Sequence, residues 1–156
     1  MRWDLIDRFI VLKKGSLSRA EKIFHGTEDF FAEHFPHHPT VPEPLFLEMI
    51  AQTGGVLLGL SHDFKKEVIL VKIEGAEFGT SLGPPCALTI EAVLEEERED
   101  GGWVRGRVTC GTKEVARARV LLALLDRLED QRRSIVFNDQ FLKHYRIYEV
   151  ASQEQT

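Results

Sequence analysis

The chain of 156 residues holds only two cysteines, Cys86 and Cys110, and no CxxC spacing joins them. A disulfide framework or a zinc ribbon is therefore not expected, and reduced thiols in a cytoplasmic protein are the default. Basic excess is missing as well: 20 Lys and Arg stand against 25 Asp and Glu, a formal net charge of −5. Nucleic-acid binding, which advertises itself by positive charge, is not expected. Local basic groups such as Lys65-Lys66, Arg132-Arg133, and Lys143 with Arg146 read as solvated surface. The start, Met1-Arg2-Trp3-Asp4, lacks the apolar stretch of a secretory leader. The longest apolar run, Pro44 to Leu60, is interrupted by Glu48, Gln52 and Gly54-Gly55, so no membrane span is expected. Repeats and low-complexity linkers are absent too.

What is present is 43% hydrophobic and 29% charged residues, enough for one domain with a true core and a solvated surface. Leu5–Leu12 and Leu17–Phe24 read as strands joined at Gly15-Ser16. Thr27-Glu28-Asp29 reads as a helix start, with Thr27 as cap and one or two turns over Glu28–Glu33. A loop rich in proline and histidine, His34 to Pro44, leads to a helix with Pro44 as its first residue. That helix is apolar nearly all round, which predicts burial, and Gly54-Gly55 in its middle predicts a close approach by another element. Beyond it, Val68–Phe78, Ala87–Glu95, Trp103–Cys110 and Val115–Leu124 read as four strands in meander. Asp100-Gly101-Gly102 is a breaker among them and Gly111-Thr112 a tight hairpin turn. The expected class is α+β, an antiparallel sheet wrapped around a long buried central helix. Residues 1–125 form that domain. Residues 126–156 form a C-terminal extension packed on or flanking it, charged over Asp126–Ser134 and helical over Asn138–Val150. Trp3, Trp103 and the ten phenylalanines read as core residues.

Glu48 is the first acid inside the apolar helix, and Gln52 lies one turn on, on the same face. A carboxyl group on a buried helix calls for a partner, and one that keeps its proton can act as a general acid. The bland alternative is a glutamate that reaches solvent or pairs with a structural arginine. His34 opens the loop that runs into this helix, and prolines 36, 39, 42 and 44 stiffen it. Histidine is the usual general base near neutral pH, although a histidine in a loop is ordinarily surface.

The segment resembles the bacterial 3-hydroxyacyl-[acyl carrier protein] dehydratases of the FabA/FabZ type. Their motif reads H-F-P-G-x-P-x-x-P-G, four residues, then E-x-x-x-Q. This chain reads H-F-P-H-H-P-T-V-P-E, P-L-F-L, E-M-I-A-Q. His34, Phe35, Pro36, Pro39, Pro42, Glu48 and Gln52 fall in register without a gap. Phe30-Phe31, Gly54-Gly55 and the strand Ile73–Phe78 with its Gly-Pro loop extend the likeness over roughly residues 5–125. The resemblance implies a hotdog fold and removal of water from a 3-hydroxyacyl thioester to give a trans-2-enoyl thioester. His34 would take the C2 proton, and Glu48 of the second subunit of a dimer would protonate the departing 3-hydroxyl. Phe35, Pro42, Glu43 and Gln52 would contact the substrate or orient the acid. The implied partners are an acyl carrier protein or coenzyme A thioester and a homodimer or higher homo-oligomer. No cofactor and no metal are implied.

Two motif glycines are replaced, the first by His37 and the second by Glu43. The second glycine gives a backbone N–H to the substrate carbonyl in the family, and Pro44 removes the next N–H donor. A hotdog protein that binds acyl thioesters without turning them over is the alternative these changes raise. A hotdog thioesterase, with a helix carboxylate activating water, is the other. His34, His37 and His38 lie close enough in sequence to suggest a metal site, but no second ligand group with recognisable spacing accompanies them. His25, His62 and His144 read as surface or packing residues.

Overall fold

The computed structural model describes residues 4–127 and 136–154. Trp3, Arg132 and Arg133, and most of the charged stretch up to Ser134, lie outside the described residues. Six strands form one antiparallel sheet: β1 (Arg8–Lys13), β2 (Leu17–Phe24), β3 (Glu67–Phe78), β4 (Cys86–Arg98), β5 (Gly101–Cys110) and β6 (Lys113–Leu125). Their spatial order is β1-β2-β4-β5-β6-β3. The expected four-strand meander therefore holds only for β4-β5-β6. β3 pairs with β6 at the far edge, from Glu67 opposite Leu125 to Phe78 opposite Ala116. The cause is the helix between β2 and β3: it packs against β2, β4, β5, β6 and β3, so the chain leaves it on the other side of the sheet.

That helix, α1 (Glu43–Ser61), buries Leu45, Phe46, Met49, Ile50 and every residue from Thr53 to Leu60. Its length and composition alone would suffice for a bilayer span, but 67% of its apolar window is buried inside the fold, as in a core helix. Alternation on β4 (Cys86, Leu88, Ile90, Ala92) and β6 (Ala116, Ala118, Val120, Leu122, Leu124) supplies the wall it packs on. Two glycines set the approach distance. A Cβ on Gly54 would lie 2.7 Å from Val104 Cγ1, and a Cβ on Gly106 would lie 2.3 Å from Ile50 Cγ2. The helix glycine admits a strand valine and the strand glycine admits a helix isoleucine, so the close approach expected at Gly54 is found. Gly111 turns β5 into β6 at φ +60, a left-handed position that suits glycine. Gly101 and Gly102, expected to break the chain, instead begin β5, where a Cβ on Gly101 would meet Leu122 O at 2.3 Å.

Two further expectations need correction. Thr27 does not cap a helix: the Glu28 carboxylate accepts from the backbone N–H groups of His25 and Gly26, and a 3-10 turn follows over Asp29–Ala32. The single helix expected over Asn138–Val150 is two, α2 (Asp139–His144) and α3 (Ile147–Gln153). Arg146 at φ 52 breaks them, and the Asn138 side chain caps α2 by accepting from Phe141 N. This C-terminal part packs through Tyr145 on Phe9, through Tyr145 Oη to Ile6 O at 3.0 Å, and through Phe137 on Phe64.

Candidate active site

His34 follows the 3-10 turn directly, and its backbone N–H donates to Phe30 O at 2.9 Å. Its ring stacks on Phe35, centroids 4.3 Å apart. Nδ1 lies 3.2 Å from Thr40 O and 3.3 Å from Thr40 Oγ1. A carbonyl oxygen can only accept, so Nδ1 carries the proton and Nε2 keeps a lone pair, a tautomer assigned from the network. Thr40 N in turn donates to His34 O at 2.9 Å, which closes the loop on itself. Val41 N donates to Leu82 O at 2.8 Å and ties the loop to the segment between β3 and β4. Thr40 is 5% exposed, so this clamp is shielded from water. Sequence reasoning gave Thr40 no role: a contact six residues along an irregular loop has no periodic signature.

The loop delivers Pro42 as the cap of α1, with Glu43 and Pro44 as its first two residues. Pro44 is thus the second helical residue, one later than expected. Glu43 is exposed and lies in the helical region, and the only positive-φ non-glycines among the described residues are Asp63, Phe64 and Arg146. A side chain at the motif's second glycine is therefore accommodated without left-handed strain. The Glu43 N–H stands in the first turn of the helix, where no intrahelical partner exists and the macrodipole is positive.

Glu48 is half-buried on the same helix, and Gln52 Nε2 donates to Glu48 Oε1 at 2.9 Å. The predicted pair is in contact. Phe35 is exposed and Pro42 half-buried. Among the described residues no hydrogen bond joins His34 to Glu48, so within one chain the two side chains sit in separate networks. Among them, too, no group of three or more His, Cys, Asp or Glu gathers as a metal would require, and His37 and His38 lie exposed. The Cys86 thiol is pushed up to about 11, first by burial and then by the neighbouring Cys110 and Glu28. It is protonated at neutral pH and makes a poor nucleophile.

The arrangement is a histidine with a fixed tautomer, a carboxyl group held by an amide, and the N-terminus of a buried helix. Such a set can move a proton from carbon, return one to oxygen, and stabilise negative charge on a carbonyl oxygen. Comparison with known proteins gives the same direction. The profile of the FabA-like domain matches residues 2–119. A 3-hydroxyacyl-[acyl-carrier-protein] dehydratase FabZ of Chloroflexus aggregans is 35% identical over 78% of this chain and 85% of its own length. One from Thermomicrobium roseum is 33% identical over 78% and 83%. Among solved structures, a dehydratase heterocomplex, ApeI:P, of Xenorhabdus doucetiae superposes with TM-score 0.64 at 16% identity, covering 80% of this chain and 85% of that one. A hypothetical thioesterase of Streptococcus pneumoniae superposes with TM-score 0.60 at 8% identity, covering 77% and 91%. At such low identity the two solved structures speak for the hotdog fold alone.

Proposed function

The chain belongs to the FabA-like family, and from that premise we propose that it dehydrates a 3-hydroxyacyl thioester, carried by an acyl carrier protein or coenzyme A, in the cytoplasm. The thioester carbonyl lies at the N-terminus of α1, where the Glu43 N–H and the helix dipole stabilise an enolate-like oxygen. His34 Nε2 takes a proton from C2. The electron pair of the broken C2–H bond closes a trans double bond between C2 and C3 as the C3–O bond breaks, and Glu48 gives its proton to the leaving oxygen, which departs as water. Gln52 holds the acid in place. The observation that carries the reading is the hydrogen bond from His34 Nδ1 to Thr40 O, which leaves Nε2 free as a base.

The acid comes from a second copy of the chain. Support comes from β3, whose outer edge pairs with no described strand and whose Ile69, Leu70, Val71, Ile73 and Phe78 are exposed. A long apolar edge of this kind is covered in a stable protein, and an antiparallel β3–β3 pair across a twofold axis covers it.

The test is turnover of a 3-hydroxyacyl thioester to its enoyl product by the native protein, His34→Ala and Glu48→Ala. Each variant is expected to lose ~10²–10⁴-fold. A second reading, an acyl-thioester binder without turnover, is favoured by the Glu43 carboxylate in the first helical turn and by Pro44, which lacks an N–H. Native inactivity with turnover gained in Glu43→Gly decides for it. Release of free thiol without enoyl product would move the protein to the thioesterases.

A further inference from the structure

We infer that the side-chain hydroxyl of Thr40 is a positioning group for His34: it fixes the direction of the imidazole and steadies the charge the ring gains. The inference rests on the dehydratase reading and deepens it by adding a residue that acts through the base. Thr40 stands at a motif position where no residue type is prescribed, so its hydroxyl belongs to this chain and not to the resemblance.

Thr40 meets His34 Nδ1 twice, through its backbone oxygen at 3.2 Å and through Oγ1 at 3.3 Å. With the proton on Nδ1, both oxygens accept from the same N–H, a three-centre arrangement. Neither contact is short, so each by itself is a weak tether. A ring held by one such acceptor still swings about its Cβ–Cγ bond. Two acceptors, one on the backbone and one on the side chain, narrow that swing and so fix the direction of Nε2. Phe35 stacks on one face of the ring, centroids 4.3 Å apart, and limits the same motion.

The hydroxyl has no competing task. Thr40 is 5% exposed, and among the described residues His34 Nδ1 is the only hydrogen-bond contact of Oγ1. A buried hydroxyl is destabilising unless it is paired, and valine would fill the same space without that need. The neighbours of Thr40 set it in place. Val41 N donates to Leu82 O, and a Cβ on Gly83 would lie 2.9 Å from Pro39 O. Residues 39 and 41 are thus both held against the segment between β3 and β4, with Thr40 between them. Its oxygens are aimed before a substrate arrives and need no reorientation during the reaction. When Nε2 takes the proton from C2, the ring becomes a cation and Nδ1–H becomes a charge-assisted donor. Two oxygens then share that charge. The gain appears as the proton moves and not as the substrate binds, so kcat carries it.

The experiment compares the native protein, Thr40→Val and Thr40→Ser in turnover of 3-hydroxybutyryl and 3-hydroxydecanoyl thioesters, each on coenzyme A and on an acyl carrier protein, with hydrogen or deuterium at C2. The valine variant keeps the shape and loses the hydroxyl; the serine variant keeps the hydroxyl. Thr40→Ala also lacks it and carries the test where the valine variant folds poorly. The expected result is a kcat about fivefold lower in Thr40→Val, the worth of one hydrogen bond, with KM little changed and a larger deuterium isotope effect. Thr40→Ser is expected to return both toward native. Nitrogen-15 NMR of the histidine-labelled protein reads the ring without turnover: the His34 Nδ1–H resonance is expected sharp in the native protein and Thr40→Ser, and broadened by solvent exchange in Thr40→Val. A native isotope effect and a sharp ring resonance in Thr40→Val would overturn the inference, whatever happens to kcat or Tm, and leave Thr40 a packing residue. No enoyl product from the native protein, with a ring resonance that still follows the hydroxyl, sinks the dehydratase reading and keeps the hold on His34.

Discussion

Gln52 donates its side-chain amide to Glu48 Oε1 at 2.9 Å, one helical turn along α1, and the Glu48 carboxyl group makes no other hydrogen bond among the described residues. One carboxyl oxygen is thus fixed, and in the proposed dehydration the other would meet the substrate hydroxyl. Replacing Gln52 by leucine is expected to lower kcat about tenfold, the worth of one such hydrogen bond, with KM little changed. Steady-state kinetics separate the two constants. A raised KM with native kcat would make Gln52 a binding residue instead.

The separate networks of His34 and Glu48 predict complementation. His34→Ala and Glu48→Ala are each expected to retain only the residual turnover of a ~10²–10⁴-fold loss. If one copy lends the acid to the other, mixing them under conditions of subunit exchange gives hybrid dimers with one intact site, and about a quarter of native turnover returns. A mixture that stays at the level of its components would place both groups in one chain.

The exposed edge of β3 predicts a charge-sensitive assembly. Val71 is 55% exposed at the strand's midst, and Val71→Lys puts a charge where strand pairing would bury it. Light scattering is expected to report monomers, and turnover is expected to fall with the dimer. A variant that remains dimeric and active would move the interface elsewhere.

On the outer face of the sheet Glu91 carries a pH dependence. Burial works to raise its pKa, but hydrogen bonds and charge from Arg19 and Arg107 outweigh it, and the carboxyl sits below its usual 4.5. A depressed folded pKa contributes stability above the unfolded value, lost as pH falls through the folded one. The Tm advantage of the native protein over Glu91→Gln is therefore expected to be full near neutral pH and to shrink below pH ~4.5. The contribution is small, because Arg107 is 55% exposed and solvent screens it. Thermal melts of both proteins across that range check it; a gap that does not change with pH would remove Glu91 from the account.

The loop from His34 to Pro42 was legible because its chemistry is local. The motif residues keep fixed spacing, and Glu48 with Gln52 can be placed on one face by helical period alone. The clamp on His34 was not legible, since Thr40 meets it through an irregular loop. The hinge at Arg146 was also hidden, because the apolar pattern of Phe141, Leu142, Tyr145 and Ile147 runs on through it while the backbone turns left-handed.

The sequence by itself determined the strands, the buried helix, the acid with its amide and the family, because each is written in a short-range period or a motif of fixed spacing. Only the tertiary structure decided that β3 lies at the far edge beside β6. It also decided that Gly106 opens room for Ile50, and that Phe137 returns from the end of the chain to pack on Gly55 and Gly59. These are contacts between residues far apart in sequence, chosen by which surfaces fit at close range, and no local pattern encodes such a fit.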